Sequence, residues 1–323
     1  MKLQIRFISI TVSVFFGLLF FSCAKEPQPP LRIGTVVWPG FECLYLARDL
    51  GYYKDTSIRL VEYNATSEIT RAFRNRELEA IAYTVPEALS LVAAEPTLQA
   101  VLVTDISNGG DVIVAKPRIQ DLPALKGRRV GMESSSGLGA YMITRALEQV
   151  KLSPKDVRII PLEVSEHEQE FKKGTVDAVI TYEPARSTLL AAGGKLLFDS
   201  SKIPNEIADI LFVRGDLLTS QSANLQALIK GWFRALAYLK SNPQDAAHRI
   251  APREGISPEQ FLESLKGIHI PNIEENQKLL GKTDTSLLNA IKRLSKVMVE
   301  NNLLEQAVEP TRLLNDELVK SVQ

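Results

Sequence analysis

From residue 31 onward, short apolar runs alternate with amphipathic stretches. Residues 31–37, 58–63, 78–82 and 98–103 are runs of strand length, rich in Ile, Val and Leu. Between them, 41–50, 67–76 and 86–94 carry helical spacing; in the first of these Leu44, Leu46, Ala47 and Leu50 turn inward. A strand–helix–strand pattern of this kind predicts a mostly parallel sheet covered on both faces. A second series follows, with strands at 112–115, 129–131, 157–161, 178–181, 195–198 and 207–213 and helices at 136–150, 167–172 and 184–191. Each series spans ~100 residues, an ordinary domain size. Beyond residue 217 the pattern is wholly helical. The stretch 223–239 places Leu225, Leu228, Ile229, Trp232, Phe233, Leu236 and Leu239 on one face. Further helices are predicted at 243–250, 258–265, 273–280, 286–301 and 311–319. Pro243 and Pro258 suit first-turn positions after Asn242 and Ser257. The predicted fold is α/β, with two lobes, each a mostly parallel sheet flanked by helices, and a helical C-terminal section. The break between lobes falls near 109–111.

The first 22 residues follow a different pattern. Lys2 and Arg6 precede an uncharged run over 7–21, shorter than the ~20 residues a spanning helix needs. The run stops at Ser22-Cys23-Ala24-Lys25. A small residue before a Cys at this place resembles a bacterial lipoprotein signal, which would make Cys23 the lipidated first residue. Phe20 and Phe21 depart from the usual residues there. A plain cleaved signal or an uncleaved anchor are the alternatives, and all three put the rest outside the cytoplasm, in the periplasm or at the cell surface. Residues 23–30, polar and Pro-rich, read as a tether.

Composition mainly excludes. Lys plus Arg equals Asp plus Glu at 38 each, so no basic excess points to nucleic acid. Three His and two Cys rule out a four-cysteine zinc site; no metal or other cofactor is expected. No Gly-x-Ser-x-Gly elbow or His-Glu-x-x-His is present. Glu166-His167-Glu168 reads as a charged, exposed helix start, and Cys43 as packing. The expectation is a binding protein, not an enzyme.

Four stretches carry a family resemblance. They are Trp38-Pro39-Gly40-Phe41-Glu42-Cys43-Leu44-Tyr45-Leu46-Ala47 running to Gly51-Tyr52-Tyr53; Leu125-Lys126-Gly127-Arg128-Arg129-Val130-Gly131 before Ser134-Ser135-Ser136-Gly137; Gly174-Thr175-Val176-Asp177-Ala178-Val179 before Tyr182-Glu183-Pro184; and Gly231-Trp232-Phe233-Arg234-Ala235-Leu236. In order, they resemble the nitrate, sulfonate, taurine and thiamine-precursor binding proteins of ABC importers. The resemblance implies a periplasmic-binding-protein fold of type II with two crossing strands. Residues 31–110 and 212–323 would form a discontinuous first lobe and 111–211 the second. It also implies a small-molecule ligand, a membrane permease as partner and a monomer. The same fold can serve a receptor or kinase as a sensor. The family's enzymatic relative, a thiamine pyrimidine synthase, carries a Cys-rich motif that this chain lacks.

In open α/β sheets ligands sit beyond the carboxyl ends of strands. The candidates are therefore the residues that follow strands. Trp38 and Phe41 can stack on a ligand or pack locally. Tyr83 and Thr84 can bond a ligand or hold the next helix. Asp105, Ser107 and Asn108 approach the hinge, where a plain turn is the alternative. Ser134, Ser135 and Ser136 precede a helix and could form an anion site or simply cap it. Tyr182 and Glu183 end a strand, with Arg186 one turn on as a partner for Glu183. The lips are acidic, with Glu42, Asp105, Asp111, Glu133 and Glu183, and Arg186 is the one obvious base. That balance favours a ligand carrying an amine or heteroaromatic nitrogen, with or without a carboxylate or sulfonate.

Overall fold

The structure is a computed structural model. It describes residues 29–92, 94–133, 137–281 and 285–322. The lipidation candidate Cys23 and the serines 134–136 lie outside the described residues.

The first sheet is built from β1 (Leu31–Thr35), β2 (Ile58–Glu62), β3 (Ala80–Thr84) and β4 (Gln99–Ser107), with α1 (Glu42–Asp49), α2 (Thr66–Arg74) and α3 (Val85–Val92) between them. The chain then crosses to a second sheet of β5 (Val112–Ala115), β6 (Arg129–Met132), β7 (Arg158–Pro161), β8 (Ala178–Thr181) and β9 (Lys195–Asp199). Its helices are α4 (Gly137–Glu148), α5 (His167–Lys173) and α6 (Ala185–Ala191). The chain returns as β10 (Ala208–Val213) and continues through α7 (Leu217–Ser220), α8 (Ser222–Ser241), α9 (Pro243–Glu254), α10 (Pro258–Ser264), β11 (Ile268–His269), α11 (Ile273–Leu280), α12 (Ser286–Glu300) and α13 (Glu317–Lys320).

The first sheet has the order β11-β4-β10-β3-β1-β2 and the second β7-β6-β8-β5-β9. Apart from β11, the two share one plan. A parallel set is interrupted by one antiparallel strand, β10 between β3 and β4 and β5 between β8 and β9. In each sheet that strand is the one arriving from the other. Both crossings, over 108–111 and 200–207, are stitched together. Ser107 Oγ and Ser200 Oγ lie 2.8 Å apart, and Gly109 N donates to Ser200 Oγ at 2.6 Å. Gly109 has φ +112°, which a side chain would strain.

Several elements depart from the sequence pattern. The strand expected at 78–82 sits two residues later, because Glu79 is held in the preceding turn by Arg32 (2.8 and 2.6 Å). The strand expected at 98–103 runs on through Asp105 and Ser107, which are strand residues and not a turn; pairing with β10 and β11 carries it past the apolar run. The helix expected at 311–319 is replaced by a short turn and α13, because Leu314 bridges to Ala100 of β4. His167, expected exposed, is buried in α5. There its Nδ1 meets Thr181 Oγ1 at 3.0 Å, so the helix start faces the sheet.

The outer edge of β4 is covered piecewise. Leu314 meets it at Ala100 and β11 at Ile106 and Ser107. Between them the fully buried Asn276 imitates a strand: Val103 N donates to its Oδ1 (2.7 Å) and its Nδ2 donates to Val103 O (3.0 Å). An unpaired strand edge would otherwise be left open. Replacing Asn276 by Ala strands both Val103 groups, and the expected loss is about 3 kcal/mol of stability, read by urea denaturation. An unchanged midpoint would show that the edge does not depend on Asn276.

Candidate functional site

The carboxyl ends of β1, β3, β6 and β8 face one another across a narrow gap. Its walls are aromatic. Trp38 and Phe41 come from the loop after β1, Tyr83 from β3 and Tyr182 from the end of β8. Trp38 and Tyr182 meet edge to face with centroids 5.8 Å apart, a contact between the two sheets' loops. Two glycines permit it. A Cβ on Gly110 would lie 2.8 Å from the Trp38 ring, and one on Gly40 would lie 1.8 Å from Asp105 Oδ2, the atom that accepts from Trp38 Nε1 at 3.1 Å.

The polar lining is acidic: Glu87, Asp111, Glu133 and Asp209, with Thr66 and Thr84. Among the described residues no Lys or Arg lines the gap. Each carboxylate is buried, which makes its charge costly. Burial pushes Asp111 up to about 6 and Asp105 to about 7. Asp209 is also pushed well above the ordinary carboxylate range, by burial and by the charge of Asp105, to which it hydrogen-bonds. The two face each other across β10 and β4, so Asp209 holds a proton between them. Thr84 Oγ1 is buried with no hydrogen-bond partner. Buried polar atoms are ordinarily satisfied, and Thr84 lines the gap.

Glu133 and Glu87 join the two halves. Glu133 Oε1 accepts from Thr66 N (2.8 Å) and Thr66 Oγ1 (2.6 Å) at the start of α2. Glu87 Oε1 accepts from Leu138 N (3.1 Å) at the start of α4. Behind Tyr182, His167, Met142 and Thr181 line a second, smaller hollow. Burial lowers His167 to about 4, so its ring is neutral.

The structure thus brings Trp38, Phe41, Tyr83, Thr84 and Tyr182 to one gap. Asp105 lies behind it, clasping Trp38. Ser107 stitches the crossing, and the exposed Asn108 spends its N–H on Gly267 O (2.8 Å). Glu183 faces inward to its own helix, accepting from Arg186 Nη1 (2.6 Å) and Ser187 Oγ (3.0 Å). Glu42 is taken by Arg253, whose Nε donates to it at 3.0 Å. Sequence reasoning missed Asp209, Glu87 and Thr66. Only Asp209 left a signal, as a lone acid inside the apolar run Ala208–Val213.

Two α/β lobes whose strand ends oppose each other across a cleft are the periplasmic-binding-protein fold. A ligand-binding component of an ABC-type import system from Staphylococcus aureus, solved with zinc bound, superposes with TM-score 0.75 at 14% identity over 92% of this chain and 99% of that one. The periplasmic aliphatic sulphonate binding protein SsuA from Escherichia coli gives 0.70 at 20%, over 89% and 98%. The desulfurization enzyme DSZB gives 0.66 at 16%, over 90% and 98%, so the fold also houses catalysis. The chain belongs to the NMT1-like family, which it matches over residues 24–253. No curated protein matches it in sequence. Among the described residues no helix is long and apolar enough to cross a membrane.

Carboxyls whose pKa is raised by folding hold more protons folded than unfolded, so stability falls as pH climbs from the ordinary carboxylate range to the raised value. Asp105 and Asp111 set this window, together with buried Glu254, raised to about 7 by desolvation. The ligand-free protein is expected to melt at higher temperature at about pH 5 than at about pH 8. Asp209→Asn, which keeps a donor toward Asp105, should flatten that difference. Melting that is flat with pH in the unmodified protein would contradict the assignment.

Proposed function

We propose that the chain is an extracytoplasmic solute-binding protein. It captures a small organic molecule bearing an amine or a basic ring nitrogen between its lobes and delivers it to an ABC importer. The lobes are residues 31–110 with 212–323, and residues 111–211. Binding occurs as they close by hinge motion at the two crossings, and the chain is held to a membrane by a lipid on Cys23. The fold shared with import-system proteins and the N-terminal segment support the setting. The observation that carries the ligand class is the gap itself, with four carboxylic side chains on aromatic walls and no cationic side chain on the described lining.

A protonated amine fits both components. It neutralises carboxylates held from water and lies against the faces of Trp38, Tyr83 or Tyr182. A bare sulfonate meets neither. Some relatives bind sulfonates by name, so the chemistry of the lining separates this chain from them. A binding role without chemistry also accords with the nucleophiles present. Cys43 is buried, and desolvation pushes its thiol up to about 12, which leaves it protonated and inert.

The test is calorimetric titration with a panel of small aromatic amines and protonated N-heterocycles beside methanesulfonate and nitrate. At least one cation is expected to bind, and Trp38→Ala should weaken it tenfold or more, the equivalent of about 1.4 kcal/mol. Binding confined to the anions would overturn the reading. The anchor is checked by fractionation: Cys23→Ala should move the protein from the membrane to the soluble fraction, and a variant that stays on the membrane would contradict the lipid.

A further inference from the structure

The two carboxylates that join the lobes occupy places where a helix ordinarily receives an anion. The first turn of a helix offers backbone N–H groups with no partner in the helix and the positive end of its dipole. Both α2, of nine residues, and α4, of twelve, begin at the gap. In each case the anion is supplied by the opposite lobe. Glu133, just after β6, sits on Thr66 of α2, and Glu87, in the first turn of α3, sits on Leu138 of α4. Gly137 makes the second approach possible, since a Cβ there would lie 2.9 Å from Pro86 O. The space these starts share also holds Asp209, 2% exposed, and no cationic side chain from the described lining.

We propose that Glu87 and Glu133 are the specificity-determining residues of the cleft: each plugs the other lobe's helix start, so the pair excludes oxyanions and leaves room only for a neutral or cationic guest. The proposal rests on the cleft being the ligand site. It goes further, because it assigns the rejection of anions to two side chains whose removal should reverse it. A carboxylate displaced from α2 or α4 uncovers N–H donors aimed into the gap, and the lost negative charges lower the cost of admitting another anion.

The experiment compares the full-length protein with the Glu87→Ala/Glu133→Ala variant by calorimetry, using inorganic sulfate and methanesulfonate as probes. The unsubstituted protein should bind neither. The double variant should bind sulfate at least tenfold more tightly than the unsubstituted protein, while the Glu87→Gln/Glu133→Gln variant, whose amide oxygens still cover the N–H groups, should gain less. A folded double alanine variant with no gain overturns the proposal, as does tight sulfate binding by the unsubstituted protein. If the double variant does not fold, amide NMR of the unsubstituted protein decides. The Thr66 and Leu138 amide protons should shift as their carboxylates are protonated. Amides indifferent to that titration would overturn the plug. Failure of every amine to bind the unsubstituted protein would count against the proposed ligand and leave the sulfate comparison standing.

Discussion

The structure depends on how it keeps carboxylates in a nearly dry space without a basic side chain beside them. A buried carboxylate must gain a proton, a set of N–H donors or a positive partner, or it destabilises the fold. The first two solutions occur within one gap. Asp209 holds a proton against Asp105, Glu133 and Glu87 take donors from helix starts, and Asp111 has Ser107 as its hydrogen-bond partner. Where a positive partner is supplied by the protein, it is outside the gap, at Glu42 with Arg253 and Glu183 with Arg186.

The duplicated sheet plan creates that space. Each lobe receives its one antiparallel strand from the other, so the crossings lie side by side and the parallel strand ends oppose each other. β10 shows the coupling most directly. Its apolar residues hold the centre of the first sheet, while Asp209, its second residue, reaches the cleft opposite Thr84 and Asp105. The same strand therefore builds the core and furnishes an acid of the site.

Much of this was legible in the residue pattern because it follows from periodicity. Strand and helix alternation gave two α/β units, and the rule that loops after strands form the cleft led to Trp38, Phe41, Tyr83, Thr84 and Tyr182. What could not be read is tertiary. Nothing local says that Asp105 and Ser107 extend β4, because β10 and β11 supply that pairing from more than a hundred residues away. Nor does Val85-Pro86-Glu87 announce a contact with α4, or Glu42 a partner at Arg253, since each relation exists only once the lobes close or the last helices fold back. His167 looked solvated for the same reason: its charged neighbours set the local pattern, and Thr181 set its fate.

The central claim is that the cleft holds a positively charged or basic-nitrogen guest. Native mass spectrometry of the protein purified from its own host, without refolding, addresses it directly. The account predicts a retained small molecule whose mass and fragmentation identify a basic nitrogen. A retained sulfonate, sulfate or other solute lacking any basic nitrogen would contradict it.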